Sequence, residues 1–424
     1  MIRVCDCITG GGKSSACINY MNEHPDKKYI YITPYTDEAK RIVKACPRLH
    51  FYEPSDKSRE SGFSKSRDTA IMISEGKNIA STHQCFKFYT SDMLDGIRQG
   101  EYTLMIDENV NVLEECREAS PGDIEFMRRA GMISVDNGEF FLTDIDWYAG
   151  KWALSTIRLL KSRRLIEVSD SDKIYYYWAL PEDLLCAFKD VVIMTYMFHG
   201  TDMYYYLKMK GLDFEEIGVA HDETGYHFID KPGGVTQQMR DLISKIHICD
   251  RDNMNEIGDD FHALSMNWHD DPASKYLEGH ERLKKNLSNW FNNYHRGVPS
   301  RKRLWATISD SYGKLRSAGV WDNSLPFNYR ATNSYSDRIV LAYPVNVFAN
   351  VDKKNYYAKN GLELDEDQYA LSTMIQWIWR SAIRKGEEIW IYIPSRRMRE
   401  LLQGWLSDLE SGTPEACKGE RGCA

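Results

Sequence analysis

No apolar run in this 424-residue chain approaches the ~20 residues a bilayer-spanning helix needs, so no membrane partner is expected. No secretory-type segment opens it either, because a strand-like run occupies that position, and the expected location is the cytoplasm. Positive charge is not in excess: 54 Lys and Arg face 62 Asp and Glu, for a formal net charge of −8. Any polyanionic partner must therefore be met by a local basic groove. Lys161–Arg164, Arg301–Arg303 and Arg396–Arg397 are the candidate sources. Ten cysteines are present, but none forms a C-x-x-C pair; that spacing argues for packed, reduced thiols over a zinc site.

What is present begins with Cys7-Ile8-Thr9-Gly10-Gly11-Gly12-Lys13-Ser14. It stands between a strand-like run, Ile2–Cys5, and a helix-like run, Ser15–Asn22. Strand, glycine turn, Lys-Ser and helix is the arrangement that cradles nucleotide phosphates. Glycines let backbone N–H groups wrap the anion without Cβ clashes, and the helix presents its positive end. Thr9, Gly10, Gly11, Gly12, Lys13, Ser14 and Ser15 are the expected binding residues. Lys13 would reach the β/γ-phosphates and the Ser14 hydroxyl would ligate Mg²⁺. The general pattern asks for Gly where Cys7 stands.

Further strands are expected at 28–32, ending at Thr33-Pro34, and at 78–83, 103–106 and 191–195, alternating with helical stretches. That alternation predicts a parallel α/β sheet, whose ligands gather beyond the carboxyl ends of its strands. Asp107-Glu108 follows Leu104-Met105-Ile106, 94 residues beyond Lys13. There an acidic residue can hold Mg²⁺ and its neighbour can deprotonate water. Residues 111–190 are too many for one crossover and read as an inserted subdomain, with an acidic helix over 111–118 and a hairpin turning at Asp136-Asn137-Gly138. A second α/β series follows, with strands at 304–308, 339–347 and 389–393 and a helix over 369–385. The expected organisation is a first lobe over 1–215, a linker and helical segment over 216–300, a second lobe over 301–410 and a disordered tail over 411–424. Tyr175–Trp178 and Tyr204–Tyr206 read as packing aromatics more readily than as base-stacking platforms.

These motifs, in this order, resemble those of a superfamily 2 helicase, and the style of the chain is similar to compact bacteriophage-type members. Cys7–Ser14 resembles motif I, Thr33-Pro34 motif Ia, and Ser81-Thr82-His83 a later nucleic-acid-contacting motif. Asp107-Glu108-Asn109-Val110 resembles the DExx box, Thr195 motif III, Leu304–Ile308 motif IV, and Gln376–Arg384 motif VI. The resemblance implies two RecA-like P-loop lobes and an ATP hydrolase that uses ATP and Mg²⁺ to move along or unwind DNA or RNA, with a single-stranded tract as track. A replication or recombination protein would be a further partner, and the host cytoplasm the setting if the chain is of phage origin. It implies that Lys13 and Ser14 hold the triphosphate and metal, that Asp107 positions the metal, and that Glu108 activates water. Gln376 would sense the γ-phosphate, Arg380 or Arg384 would act as arginine finger, and Thr195 would couple hydrolysis to lobe closure. Thr33, Pro34, Thr82, His83 and Thr307 would lie on the nucleic acid. The departures are a four-residue spacing of Arg380 and Arg384, Trp379 in place of the usual Gly, the absence of an upstream glutamine motif to read adenine, and only Arg330–Asn333 for motif V. A nucleotide-switched binding protein with slow ATPase is the alternative; a small-molecule kinase would leave Gln376 and Arg384 without a role.

Overall fold

The computed structural model describes residues 1–55, 65–116, 119–136, 138–143, 154–161, 164–170, 173–231, 236–270, 277–308, 315, 323–329 and 334–411. The chain forms two compact α/β units. The first comprises Met1–Cys7, Gly12–Pro232 and Asn350–Leu364; the second comprises Ile8–Gly11, Gly233–Ala349 and Asp365–Ala424.

The first unit opens with β1 (Ile2–Asp6) and, beyond the glycine turn Ile8–Gly11 that is grouped with the second unit, helix α1 (Lys13–Glu23). Then come β2 (Tyr29–Thr33), β3 (Ile79–Thr82) and β4 (Thr103–Asp107). The inserted strands are β5 (Leu113–Glu115), β6 (Ile133–Asp136), β7 (Glu139–Leu142), β8 (Leu165–Asp170) and β9 (Lys173–Ala179). The chain then returns through β10 (Asp190–Thr195), β11 (Phe214–Asp222) and β12 (Gly225–Ile229). The main sheet has the order β12-β11-β1-β10-β4-β2-β3. It is parallel except for β12, which folds back on β11.

Its central strands are apolar on both faces, as a parallel sheet covered on two sides requires. Val4, Ile30, Ile32, Ile106 and Ile193 pack into one core, and Cys5, Tyr29, Tyr31, Met105, Val192 and Met194 into the other. The alternation follows the two-residue period of a strand. Cys5, Cys17 and Cys46 belong to the second core, and burial pushes the Cys5 thiol up to about 12, so these are inert packing thiols. Cys417 and Cys423 lie outside the described residues.

The insertion forms its own antiparallel sheet, β5-β9-β8-β7-β6, over a core that includes Ile124, Met127, Phe140, Leu160 and Tyr176. The hairpin at Asp136 is present, with Ile133 opposite Leu142. Within the acidic helix expected over 111–118, residues 117–118 lie outside the described residues and Leu113–Glu115 form β5 instead. Its pairing with β9, Leu113 opposite Ala179, supplies the ladder partners that local propensity did not reveal. Tyr176, Tyr177, Trp178, Tyr205 and Tyr206 are buried, so these aromatics pack.

The helix Val351–Lys359 belongs to the first unit. It is tied there by Lys353 donating to Asp202 at 2.6 Å, Tyr357 Oη donating to the Asp202 carbonyl at 3.2 Å, and Tyr177 Oη donating to Asp352 at 3.1 Å.

The second unit carries β13 (Ile246–Ile248), β14 (Arg303–Thr307), β15 (Ser324–Pro326), β16 (Val340–Ala342) and β17 (Ile389–Tyr392) in one parallel sheet, ordered β13-β17-β16-β14-β15. The long strand expected over 339–347 is only three residues. The helix expected over 369–385 runs Glu366–Ile378 and stops. Ser381 is extended, its Oγ donates to the Ile378 carbonyl at 2.6 Å, and the Ala382 N–H leaves the helix for the Arg338 carbonyl at 2.9 Å.

One arginine of each basic cluster is a structural tie. Arg164 is buried and donates to the Tyr89 carbonyl, Arg303 is buried and donates to Asn292 at 2.8 Å, and Arg397 joins Asp367 to the Val347 and Glu366 carbonyls. Residues 330–333, the motif V candidate, and the tail from 412 onward lie outside the described residues. Among the described residues no helix is long and apolar enough to cross a membrane.

Candidate functional site

In the first unit the carboxyl ends of β1, β10 and β4 lie side by side, and the polar residues that follow them meet there. Gly12 has φ +87 and caps α1, a left-handed conformation that favours glycine. Gly10, at φ +90, turns the preceding loop, in which the Gly11 N–H donates to the Ile8 carbonyl at 2.9 Å. Lys13 is the first residue of α1. It is only 7 % exposed, and its Nζ donates to the Cys7 carbonyl at 2.5 Å. The ammonium is thus held across its own loop.

Ser14 Oγ lies 3.4 Å from Asp107 Oδ1, where it donates a long hydrogen bond. One hydroxyl and one carboxylate at that separation suit Mg²⁺, which takes few protein oxygens and completes its shell with water and phosphate. Ser14 and Asp107 are the residues that would hold it. Among the described residues no group of three or more His, Cys, Asp or Glu could hold a metal by itself.

Burial, and then the neighbouring Glu108 charge, push the Asp107 carboxyl up to about 6, against the opposing pull of Tyr31, Lys13 and Arg41. A carboxyl whose folded pKa is raised favours its protonated form, so the stability it contributes is complete below about pH 4 and is lost as pH rises through about 6. Asp107→Asn is expected to stabilise the nucleotide-free protein at pH 7.5 by something on the order of 2 kcal/mol and to remove that part of the pH dependence. Thermal unfolding between pH 4 and 8 measures both, and an unchanged or lower melting temperature at pH 7.5 contradicts the assignment.

Glu108 occupies the left-handed region, φ +65, and its N–H donates to the Met194 carbonyl at 3.0 Å. A non-glycine residue held there costs roughly 1–2 kcal/mol, and such strain gathers at functional positions. Thr195 closes the arrangement: its carbonyl accepts the Cys7 N–H at 3.1 Å, and its buried Oγ1 accepts from Asn109 Nδ2 at 2.8 Å. One residue at the end of β10 therefore touches both the loop after β1 and the turn after β4.

Asn109 and Asp6 are the residues sequence reasoning passed over. Asn109 was legible as part of Asp107–Val110, but its tie to Thr195 spans 86 positions. Asp6 closes β1, accepts the Phe198 N–H at 2.8 Å, and has its pKa raised by burial.

Of the expected nucleic-acid contacts, His83 is next to the acidic turn, its Nε2 3.0 Å from the Asp107 carbonyl. Thr82 Oγ1 accepts the Cys85 N–H at 3.4 Å and caps a short helix. Pro34 is half-buried, and Thr33 is fully buried at the end of β2. In the second unit Thr307 is buried and donates to the Ile308 carbonyl at 3.0 Å. Gln376 is half-buried on its helix. Arg380 is buried just beyond that helix, whereas Arg384 is exposed in the following 3-10 turn. The helix expected over 369–385 carries neither arginine, because it ends at Ile378.

Residues 240–406 match the family described as the YonV C-terminal Rossmann-like domain. Among solved structures the chain is similar to an XPD helicase, with 11% identity, 95% of this chain and 94% of that chain covered, and a TM-score of 0.45. It is also similar to S. tokodaii Xpd4, with 13% identity, 96% and 94% covered, and a TM-score of 0.41. Among curated proteins it is 34% identical over 417 residues to the SPbeta prophage-derived uncharacterized protein YonV of Bacillus subtilis (strain 168), covering 96% of this chain and 99% of that protein. Likeness at that level along nearly the whole of both proteins places the chain: it belongs to the YonV family.

Proposed function

We propose that this protein binds ATP with Mg²⁺ at the carboxyl edge of its first sheet and hydrolyses it to move along, or unwind, DNA or RNA. The observation that carries the reading is the meeting of Lys13 and Ser14, at the start of α1, with Asp107-Glu108, at the end of β4, where Ser14 Oγ lies 3.4 Å from Asp107 Oδ1.

Backbone N–H groups of the turn and Lys13 would hold the β- and γ-phosphates, with Thr9–Gly12 forming the turn and Ser15 continuing it. Bound Mg²⁺ would supply charge neutralisation between the phosphates. Glu108 would take a proton from the attacking water, from a main chain anchored on Met194. Thr195, in contact with both loops, is suited to couple their positions. Gln376 would sense the γ-phosphate and Arg380 or Arg384 would stabilise charge developing on it. Pro34, Thr82 and His83 would lie on a single-stranded tract. The prophage origin of the Bacillus relative is in keeping with work in a host cytoplasm beside a replication or recombination protein.

A nucleotide-switched binding protein with slow ATPase is the second reading, favoured by the burial of Thr33 and Thr307, which withdraws two hydroxyls from any strand. Steady-state ATPase of the full chain with and without single-stranded DNA or RNA separates the two. A motor is expected to be stimulated at least tenfold, with apparent nucleic-acid affinity falling steeply between 50 and 200 mM salt, roughly in proportion to the number of phosphates contacted. In the same assay alanine at Arg380 or at Arg384 identifies the finger as the position that loses turnover and keeps ATP binding. A low, unstimulated rate selects the switch, and no ATP binding at all removes both.

A further inference from the structure

A nucleotide whose phosphates sit on the glycine turn needs a surface for its base beside that turn. The β11–β12 hairpin offers one. It forms the edge of the first sheet next to β1, and Tyr226 on β12 lies directly against the glycine that ends the phosphate loop. A Cβ built on Gly12 would fall 2.1 Å from Tyr226 Cδ1 and 2.3 Å from Cε1, so the ring occupies the space a side chain there would need.

The ring is fixed from two sides. Its main-chain carbonyl accepts from Asn19 Nδ2 of α1 at 3.0 Å. Across the hairpin Tyr226 pairs with His221, the ring centroids 4.3 Å apart and tilted by 33°. The tip is pinned as well: Asp222 Oδ1 accepts from the Thr224 N–H and hydroxyl at 2.8 and 2.7 Å and lies 3.0 Å from His227 Nε2. These contacts hold the Asp222 carboxyl well below the usual carboxylate range. Tyr226 remains half-buried and His221 exposed.

A positioned aromatic pair beside a phosphate cradle, with open surface on one member, is what a flat π-faced group stacks on. We propose that Tyr226 and His221 form the base platform of the nucleotide site, stacking the purine of the triphosphate whose phosphates the loop holds. The proposal rests on the reading of that loop as a nucleotide site. Stacking tolerates any base with a π-face, so the platform favours purines by area and discriminates weakly between adenine and guanine.

Calorimetric titration of the full chain with Mg-ATP, Mg-GTP and Mg-tripolyphosphate, which has the phosphates and no base, tests it. The wild type is expected to bind both purine triphosphates about tenfold or more tighter than tripolyphosphate. Tyr226→Leu keeps bulk against Gly12 but removes the π-face. It should lose that advantage and leave tripolyphosphate binding unchanged, while Tyr226→Trp keeps it. An unaltered ATP affinity in Tyr226→Leu overturns the proposal. So does an equal loss for ATP and tripolyphosphate, which would make the ring part of the phosphate cradle. Should Tyr226→Leu fail to fold, His221→Ala on the exposed side is the deciding variant: a smaller ATP advantage supports the platform and an unchanged one overturns it. If the wild type binds none of the three ligands, the nucleotide reading itself fails; if it binds tripolyphosphate as tightly as ATP, only the platform does.

Discussion

Replacing Lys13 with alanine is expected to weaken Mg-ATP binding about 100-fold and to take turnover below detection. Lys13 is nearly buried at the start of α1, and its ammonium rests on the Cys7 carbonyl at 2.5 Å. A desolvated ammonium is tolerated only where an acceptor faces it, and a phosphate oxygen is a stronger acceptor than a neutral carbonyl. A charge-assisted contact of this kind contributes about 1.5–3 kcal/mol, which at about 1.4 kcal/mol per factor of ten gives the expected loss. The fold should persist, because alanine is at least as good a helix former as lysine. Calorimetry with ATP and a thermal melt measure the two halves. A variant that melts normally and binds ATP as tightly as the wild type would remove Lys13 from the site and with it the nucleotide reading.

Glu108→Gln is expected to separate binding from chemistry. ATP affinity should stay within about twofold while turnover falls by about 10²–10⁴, the range of a lost general base. The amide keeps the shape of the side chain, and the main chain is held independently by the N–H bond to Met194, so the left-handed turn at φ +65 should survive. The substitution has a second readout. The Glu108 charge is, after burial, the next cause of the raised Asp107 pKa. Without it Asp107 should ionise at lower pH, and Mg²⁺-dependent ATP binding should persist further below pH 6 in the variant than in the wild type. Retained turnover would mean that water is activated elsewhere; an unshifted pH profile would mean that the two carboxylates do not share a field.

How much of this was legible beforehand follows from the range of each interaction. The glycine turn between β1 and α1 could be read because its determinants are adjacent: an apolar strand, three glycines, Lys-Ser and a helix. Asp107 could be read because it ends a run of apolar residues in a chain that already has such a turn. The helix over 111–118 was misread because an acidic stretch there carries no local sign of β9, some 60 residues on, which draws 113–115 into a sheet. The end of the helix at Ile378 was missed because its stop is neither Gly nor Pro but a hydrogen bond from Ala382 to Arg338, 44 residues away. Read from local sequence alone, Arg380 and Arg384 fall inside the helix expected over 369–385.

By itself the sequence determined the alternation of strands and helices, the parallel character of the two main sheets, the glycine turn and the acidic pair, all of which follow from periodicity and local turn chemistry. Only the tertiary structure decided that Thr195 bridges the two loops, that Tyr226 stands on Gly12, and that Val351–Lys359 packs with the first unit. The reason is physical: a hydrogen bond or ring contact between residues some 86 to 214 positions apart leaves no periodic trace in either segment. It exists only once the sheet has brought the ends of its strands together.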